Sequence, residues 1–316
     1  MAINTRSPHY VSLNTFAYSV GLTVKIYTGL QSVVPSFVNY QLKKIRPPAS
    51  TKVSFEISEL ISDFIDIYFD GNYTGQVVWV QTVIEGNAED GTVSTSPVTE
   101  TNLAVNGYSY FEEPNFNIED TSLMISNRKL FVLADNAFRI PIYTGLAPTL
   151  TFIKDGETIS TQAFQASTTS AEQVKYVSIY GNSSDWDSYK ERVIEDGGTF
   201  EDSENLRSFF NDFEIGEVDE IQVSDSSGVS FLNIQTIEEC KHEPKKITFI
   251  NKFGVLQDLY FFKKSVNKMT VKKESYKANT RDASNDTYSI SEHVNRDFNV
   301  VGNESTTLSS GLLSEE

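Results

Sequence analysis

The chain has 316 residues, with 43 acidic and 26 basic side chains, a formal net charge of −17 and a sequence pI near 4.6. That balance excludes a general affinity for nucleic acid or anionic lipid, both of which require clustered Lys and Arg. A single cysteine, Cys240, excludes an internal disulfide framework, and no apolar run approaches the length that spans a bilayer as a helix.

A chain of this size has room for two domains of about 150 residues, each with its own core. Phe (21) and Tyr (15) far outnumber Trp (2) and Met (3), a mix that favours sheet surfaces over helix bundles. The opening residues, MAINTRSPHYVSLN, contain neither an apolar core nor a cleavage pattern, which predicts folding in a cytoplasm.

Along the chain, residues 16–27 (FAYSVGLTVKIY) alternate and end in Thr-Gly, and 39–45 stop at Pro47-Pro48, so both read as strands. Residues 52–57 (KVSFEI) alternate cleanly. Residues 58–65 place Leu60, Ile61, Phe64 and Ile65 at helical spacing behind Ser58, which predicts a short helix capped by that serine. Residues 66–70 and 76–84 then suggest a hairpin across 71–75, and the polar stretch 85–97 a long loop. Further strands are predicted within 127–144 and 149–164, the latter folded at Asp155-Gly156, a strong hairpin signal. The small, polar residues 165–171 mark a domain boundary.

Beyond the boundary, Ser184 can cap a helix over 185–194 that stops at Gly197-Gly198, and a second short helix runs through Leu206, Phe209, Phe210 and Phe213. Strands resume at 220–223 and 229–236 and lead into an aromatic, lysine-flanked meander over 245–277. Within it, 259–262 (LYFF) is apolar on both faces, whereas Met269 and Val271 alternate with polar neighbours, as in a half-exposed strand. The fold class is therefore mainly β: two β-sandwich or β-barrel-like domains, the second with a small helical insertion. Their predicted bounds are 1–165, with a break near 85–97, and 172–279 with the insertion near 184–213, followed by a polar arm over 280–316.

Charge is segregated along the chain. Residues 1–50 carry five bases and no acid, 185–225 carry 14 acids against 3 bases, and 241–281 carry 11 bases against 3 acids. Adjacent blocks of opposite sign fit either two surfaces paired within one subunit or a subunit that stacks head to tail on its own copies.

Signatures of chemistry are missing from the sequence. Cys240 and His242 share a strand face but supply only two ligands, and 185–196 lacks the central Gly and final Glu of a calcium loop. There is no phosphate-binding glycine loop and no nucleophile elbow. Catalytic residues, cofactors and metals are accordingly not expected, and the chain does not read as an enzyme.

The run KKITFINKFGVLQDLYFFKKS, followed by NKMTVKKESYK and by RDFNVVGNESTTLSSGLLSEE, resembles tail-associated structural proteins of tailed bacteriophages that infect Bacteroidetes. The segments VSFEISELISDFI and NLAVNGYSYFEE have the same character. The resemblance implies a virion subunit of the tail or neck-to-tail apparatus, assembled in the host cytoplasm as a closed ring and in contact with other virion proteins. It transfers no active residue. On this reading Phe249, Phe253, Tyr260, Phe261 and Phe262 form a core or subunit contact. Lys263, Lys264, Lys272 and Lys273 would meet acids of the next copy, for which Asp212, Glu214, Glu217, Asp219 and Glu220 are candidates. A receptor- or carbohydrate-binding module of the tail is the alternative function, with Trp186 as an exposed aromatic.

Overall fold

The computed structural model describes residues 2–71, 73, 77–109, 120–125, 127–133, 138–179, 218–237, 241–278, 281–282, 284, 287–288, 291 and 293–310. The fold is mainly β, built on two five-stranded sheets and several two-stranded ones. It divides into two compact units: unit 1 is Met1–Glu238 with Ile247–Leu259, and unit 2 is Glu239–Lys246 with Tyr260–Glu316.

Unit 1 opens with β1 (Ile3–Asn4), β2 (Tyr10–Asn14), β3 (Ser19–Tyr27), β4 (Tyr40–Ile45), β5 (Lys52–Glu56), α1 (Ser58–Ser62), β6 (Val77–Asn87) and β7 (Val98–Val105). These give a sheet in the order β1-β7-β6-β3-β4, antiparallel except where β1 runs parallel to β7. Alternation explains the layers. In β3, Val20, Leu22, Val24 and Ile26 point to one face, where they meet Val53 and Phe55 from the β2–β5 pair together with Ile57 and Ile61. Each of these aliphatic side chains is worth about 1.5–3 kcal/mol when taken fully out of water.

Helix α1 is shorter than predicted, and Ser58 is its first residue rather than its cap. The Ser58 hydroxyl and backbone N–H both donate to the Glu56 carboxylate, so the serine is committed to β5. Residues 66–70, expected as one arm of a hairpin, form no strand. The reason is topological: β6 already has β3 on one edge and β7 on the other, leaving no ladder to join.

The chain continues with β8 (Lys129–Leu133), β9 (Phe138–Tyr143), β10 (Thr149–Lys154), β11 (Glu157–Ala163), α2 (Ser170–Gln173), β12 (Val174–Ile179), β13 (Glu220–Asp225) and β14 (Gly228–Ile237). The second sheet has the order β11-β10-β13-β14-β8, and Leu150, Phe152, Ile221, Val223 and Leu232 on its inner face pack with Phe138, Ile140, Ile142 and Val177 of the β9–β12 pair. The β10–β11 turn is the predicted Asp155-Gly156 pair, with φ of 50° and 83°.

Residues 165–171, expected as a joint between domains, are stitched to the loop after β3. Thr169 bridges Leu30, Gln31 N–H donates to Thr168 O at 3.0 Å, and Ser170 N–H donates to Gly29 O at 2.9 Å. A third cluster lies on the other face of the first sheet, where Tyr27, Trp79, Leu103 and Val105 meet Met124, Tyr143, Val174, Phe253 and Val255. Phe253 and Val255 belong to the turn between β15 (Lys245–Ile250) and β16 (Leu256–Phe261).

In unit 2, β17 (Val266–Lys277) pairs antiparallel with β20 (Asn295–Thr307), and a short pair, β18 (Arg281–Asp282) with β19 (Thr287–Tyr288), lies between them in sequence. Two predictions are corrected here. The 245–277 segment is not one meander: β15 pairs with β16, and β17 with β20, in separate sheets. The stretch expected as a polar arm supplies β20, the return strand of a long ribbon.

Candidate functional site

The β17–β20 ribbon is the most unusual surface among the described residues. All twelve residues of β17 and all thirteen of β20 are solvent-exposed. At about 3.4 Å per residue the strands extend roughly 40 Å. The prediction of a half-exposed β17 therefore fails, because neither face is covered. Met269, Val271, Tyr276, Phe298, Val300 and Val301 are all exposed large apolar side chains on the ribbon. A bulge opposite Lys273, where Asn299 adopts φ 48°, re-aims the ribbon midway.

The residues proposed from sequence separate into distinct roles. Phe253 is only 4% exposed and belongs to the third core cluster of unit 1, so it is core rather than contact surface. Tyr260 and Phe262 are also buried, Phe261 is half-buried, and Phe249 on β15 is 37% exposed. Lys263 and Lys264 are exposed, with the Lys263 ammonium 5.1 Å from the Phe262 ring centroid. Lys272 and Lys273 lie on the ribbon, where Lys273 pairs with Asp297 of the same chain at 2.9 Å. Asp219 is likewise engaged within the chain. It accepts from Lys154 at 2.8 Å and from the Asp155 N–H at 3.1 Å, and the lysine holds its carboxyl below the ordinary range. Glu220 opens β13 and is half-buried, whereas Asp212, Glu214 and Glu217 lie outside the described residues, as do the predicted helices over 185–213, Trp186 and Cys240. Trp79 is 5% exposed and donates its indole N–H to Gly29 O at 3.0 Å, a structural role.

Two features of unit 1 are not evident from the sequence patterns. One is a polar cluster in which the Tyr73 hydroxyl donates to Asp258 at 2.5 Å, Thr248 donates to the same oxygen at 2.7 Å, and the Arg139 guanidinium lies 3.7 Å from the Tyr73 ring centroid. Burial raises the Tyr73 hydroxyl above the ordinary range, and Tyr176, which receives the Leu256 N–H, is raised further for the same reason. Both phenols therefore stay protonated near neutral pH and act as fixed hydrogen-bonding groups that tie the β15–β16 hairpin to β9 and β12.

The other feature is an open apolar groove of about 500 Å³, with Ile26 and Val78 at its base and Val33, Pro35, Phe37 and Phe64 among its walls. Exposed acids Asp63 and Asp66 flank Phe64 in the chain, with Glu59 and Asp70 close by in sequence. One sequence signal does mark this region: there is no Lys, Arg or His from Val53 to Asn127.

A pH response arises at the start of β2. Burial lowers the His9 pKa below 6.5 despite nearby Glu100 and Glu56. Burial also opposes ionisation of Glu56, but donors from Ser58 and the His9 N–H outweigh it and bring this carboxyl below 4.5. In both cases the unfolded chain binds protons more readily than the folded one. Stability is therefore fully present above pH 6.5 and falls as acidification passes first the His9 window and then the Glu56 window. Urea midpoints measured from pH 7.5 to 4 should decline in this way, and His9→Gln should flatten the upper part of the decline. A profile unchanged by that substitution would contradict the assignment.

Among the described residues no group of three or more His, Cys, Asp or Glu side chains is placed to hold a metal ion, and no helix is long and apolar enough to cross a membrane. No protein-family model matches the sequence, and no curated protein matches it. Among solved structures, the crystal structure of CBD12 from CALX1.2 aligns with a TM-score of 0.19 at 8% identity, covering 57% of this chain and 70% of that one. A superposition at that score carries no argument about fold or function.

Proposed function

We propose that the chain is a structural subunit of a bacteriophage virion, placed in the tail or neck-to-tail apparatus, which acts by ring assembly and by contact with neighbouring virion proteins. The observation that carries this reading is the ribbon. A two-stranded element in water is marginal on its own, because neither strand has a covered face. Here such an element extends through 25 strand residues (12 in β17 and 13 in β20) and keeps large apolar side chains on its surface. A partner that covers it supplies what the chain itself does not. Segregated charge supports the same reading, since the acid-rich and base-rich blocks offer complementary patches of the kind that head-to-tail rings require. The phage assignment rests on the resemblance of 245–277 and 296–316 described above.

Immunogold labelling of intact particles of a phage that encodes the chain is the direct test. Gold is expected on the tail or at the neck, in a fixed number of copies per particle. Labelling of infected-cell lysate with none on particles would overturn the proposal.

A further inference from the structure

We propose that the apolar groove of unit 1 is the docking site for the ribbon of a second copy of this chain, an inference that rests on the assembly reading and supplies its pair of contact patches. The ribbon has two different faces. Cross-strand partners share a face, and so do alternate residues of one strand. The register therefore sets Lys268, Lys272 and Tyr276 of β17 on the same side as Val301, Phe298 and Arg296 of β20, with Glu274 the acid among them. Counting Lys268, Lys272 and Arg296 against Glu274 gives this face a net charge of +2. Its Tyr276 and Phe298 rings meet edge to face at 5.7 Å, forming an exposed aromatic pair. The opposite face carries Lys273 and Lys277 against Asp297 and Glu304 and is neutral, with Lys273 held by Asp297.

The groove complements the first of these faces in both polarity and charge. Its volume of about 500 Å³ falls within the range of clefts that enclose organic groups, about 300–1,000 Å³. Val33 and Phe37 in its wall are 63% and 58% exposed, an apolar surface that the chain's own core does not use. Asp63 and Asp66 beside Phe64 supply the opposite charge. Lys25, next to Ile26 in the chain, already donates to Pro35 O at 3.1 Å.

Charge also argues against one alternative, addition of β17 to the outer edge of β4 in the first sheet. That strand carries Lys43 and Lys44, so β17 with its four lysines would meet like charge along the ladder. Ribbon and groove are different surfaces, so the contact is heterologous and repeats from copy to copy, as a ring requires.

The test is a charge swap in the full chain, read by light scattering and sedimentation at low and high salt. Lys268→Glu with Lys272→Glu on the ribbon, or Asp63→Lys with Asp66→Lys beside the groove, should each weaken self-association by at least about tenfold. The four substitutions combined should restore much of it. All four substituted positions are exposed, and thermal melts of every variant establish that the fold is retained. If the wild-type chain associates and neither pair of substitutions weakens it, the contact lies elsewhere and this inference fails, while the assembly reading stands. A wild-type chain that stays monomeric at every salt and concentration would overturn the inference together with the self-assembly part of that reading.

Discussion

Replacing Gly254 by Ala is expected to destabilise the protein by about 4 kcal/mol, close to the whole stability of a marginal domain. Gly254 lies in the β15–β16 turn with φ 80°, a conformation that costs an L side chain about 1–3 kcal/mol. A Cβ at this position would also lie 2.3 Å from the Asn106 carbonyl carbon and 2.5 Å from the Gly107 nitrogen. Those atoms are backbone and cannot rotate away, so the overlap adds about 1–3 kcal/mol more. The surroundings are rigid: Tyr108 N–H donates to Lys252 O at 2.7 Å, and the Arg6 guanidinium bridges Asn106 O and Asn251 O. Gly156→Ala is the matched control. Its φ is 83°, but nothing lies within 4 Å of a Cβ there, so it should show only the backbone penalty. Equal urea midpoints for the two variants would mean that the hairpin turn slides freely over 106–107, contrary to this account.

The sequence carried much of the first unit and little of the surface that matters for assembly, for an identifiable reason. Strands β3, β5 and β10 bury alternate residues against a core, and the resulting period of two is visible in VGLTVKI, KVSFE and TLTFIK. Asp155-Gly156 needed no core at all, since its positive φ values select those residue types. The ribbon has no buried face, so β17 shows only the short alternation at Met269 and Val271, which read as half-exposed, and the Asn, Ser and Thr of β20 read as a polar tail. The register that joins Lys277 to Asn295 and Val266 to Thr307 rests on backbone pairing and on exposed cross-strand contacts such as Lys273 with Asp297, not on a buried face. The groove was equally silent, because Val33, Pro35 and Phe37 lie in an irregular loop and meet Phe64 only through the fold. Charge remained informative where periodicity did not: the base-free stretch from Val53 to Asn127 and the lysines of β17 are both plain in the sequence.

Asn251 offers the second strong prediction, because it satisfies more buried groups than any apolar residue could. Its amide donates to Met124 O at 2.8 Å and to the Gln257 side chain at 3.0 Å, and its oxygen accepts from the Phe253 N–H at 2.9 Å. Asn251→Ala leaves those partners buried without a replacement, at about 1–3 kcal/mol each before relaxation, so a net loss of about 3 kcal/mol is expected. Asn251→Asp is more diagnostic. The carboxylate keeps the acceptor role toward Phe253 but turns an oxygen toward Met124 O and Gln257 Oε1, so burial and the facing acceptors raise its folded pKa above the usual carboxylate value. A raised acid pKa gives stability that is present at low pH and lost as pH rises, opposite in sign to the His9 and Glu56 windows. The Asp variant should therefore come nearest to wild type near pH 4 and fall furthest behind above pH 6. Combining Asn251→Ala with Gly254→Ala should cost less than the sum of the two, since both release the same turn. Full additivity would show that the turn is held at two independent points, and the hairpin would then anchor to unit 1 by packing of Phe253 and Val255 rather than by this amide.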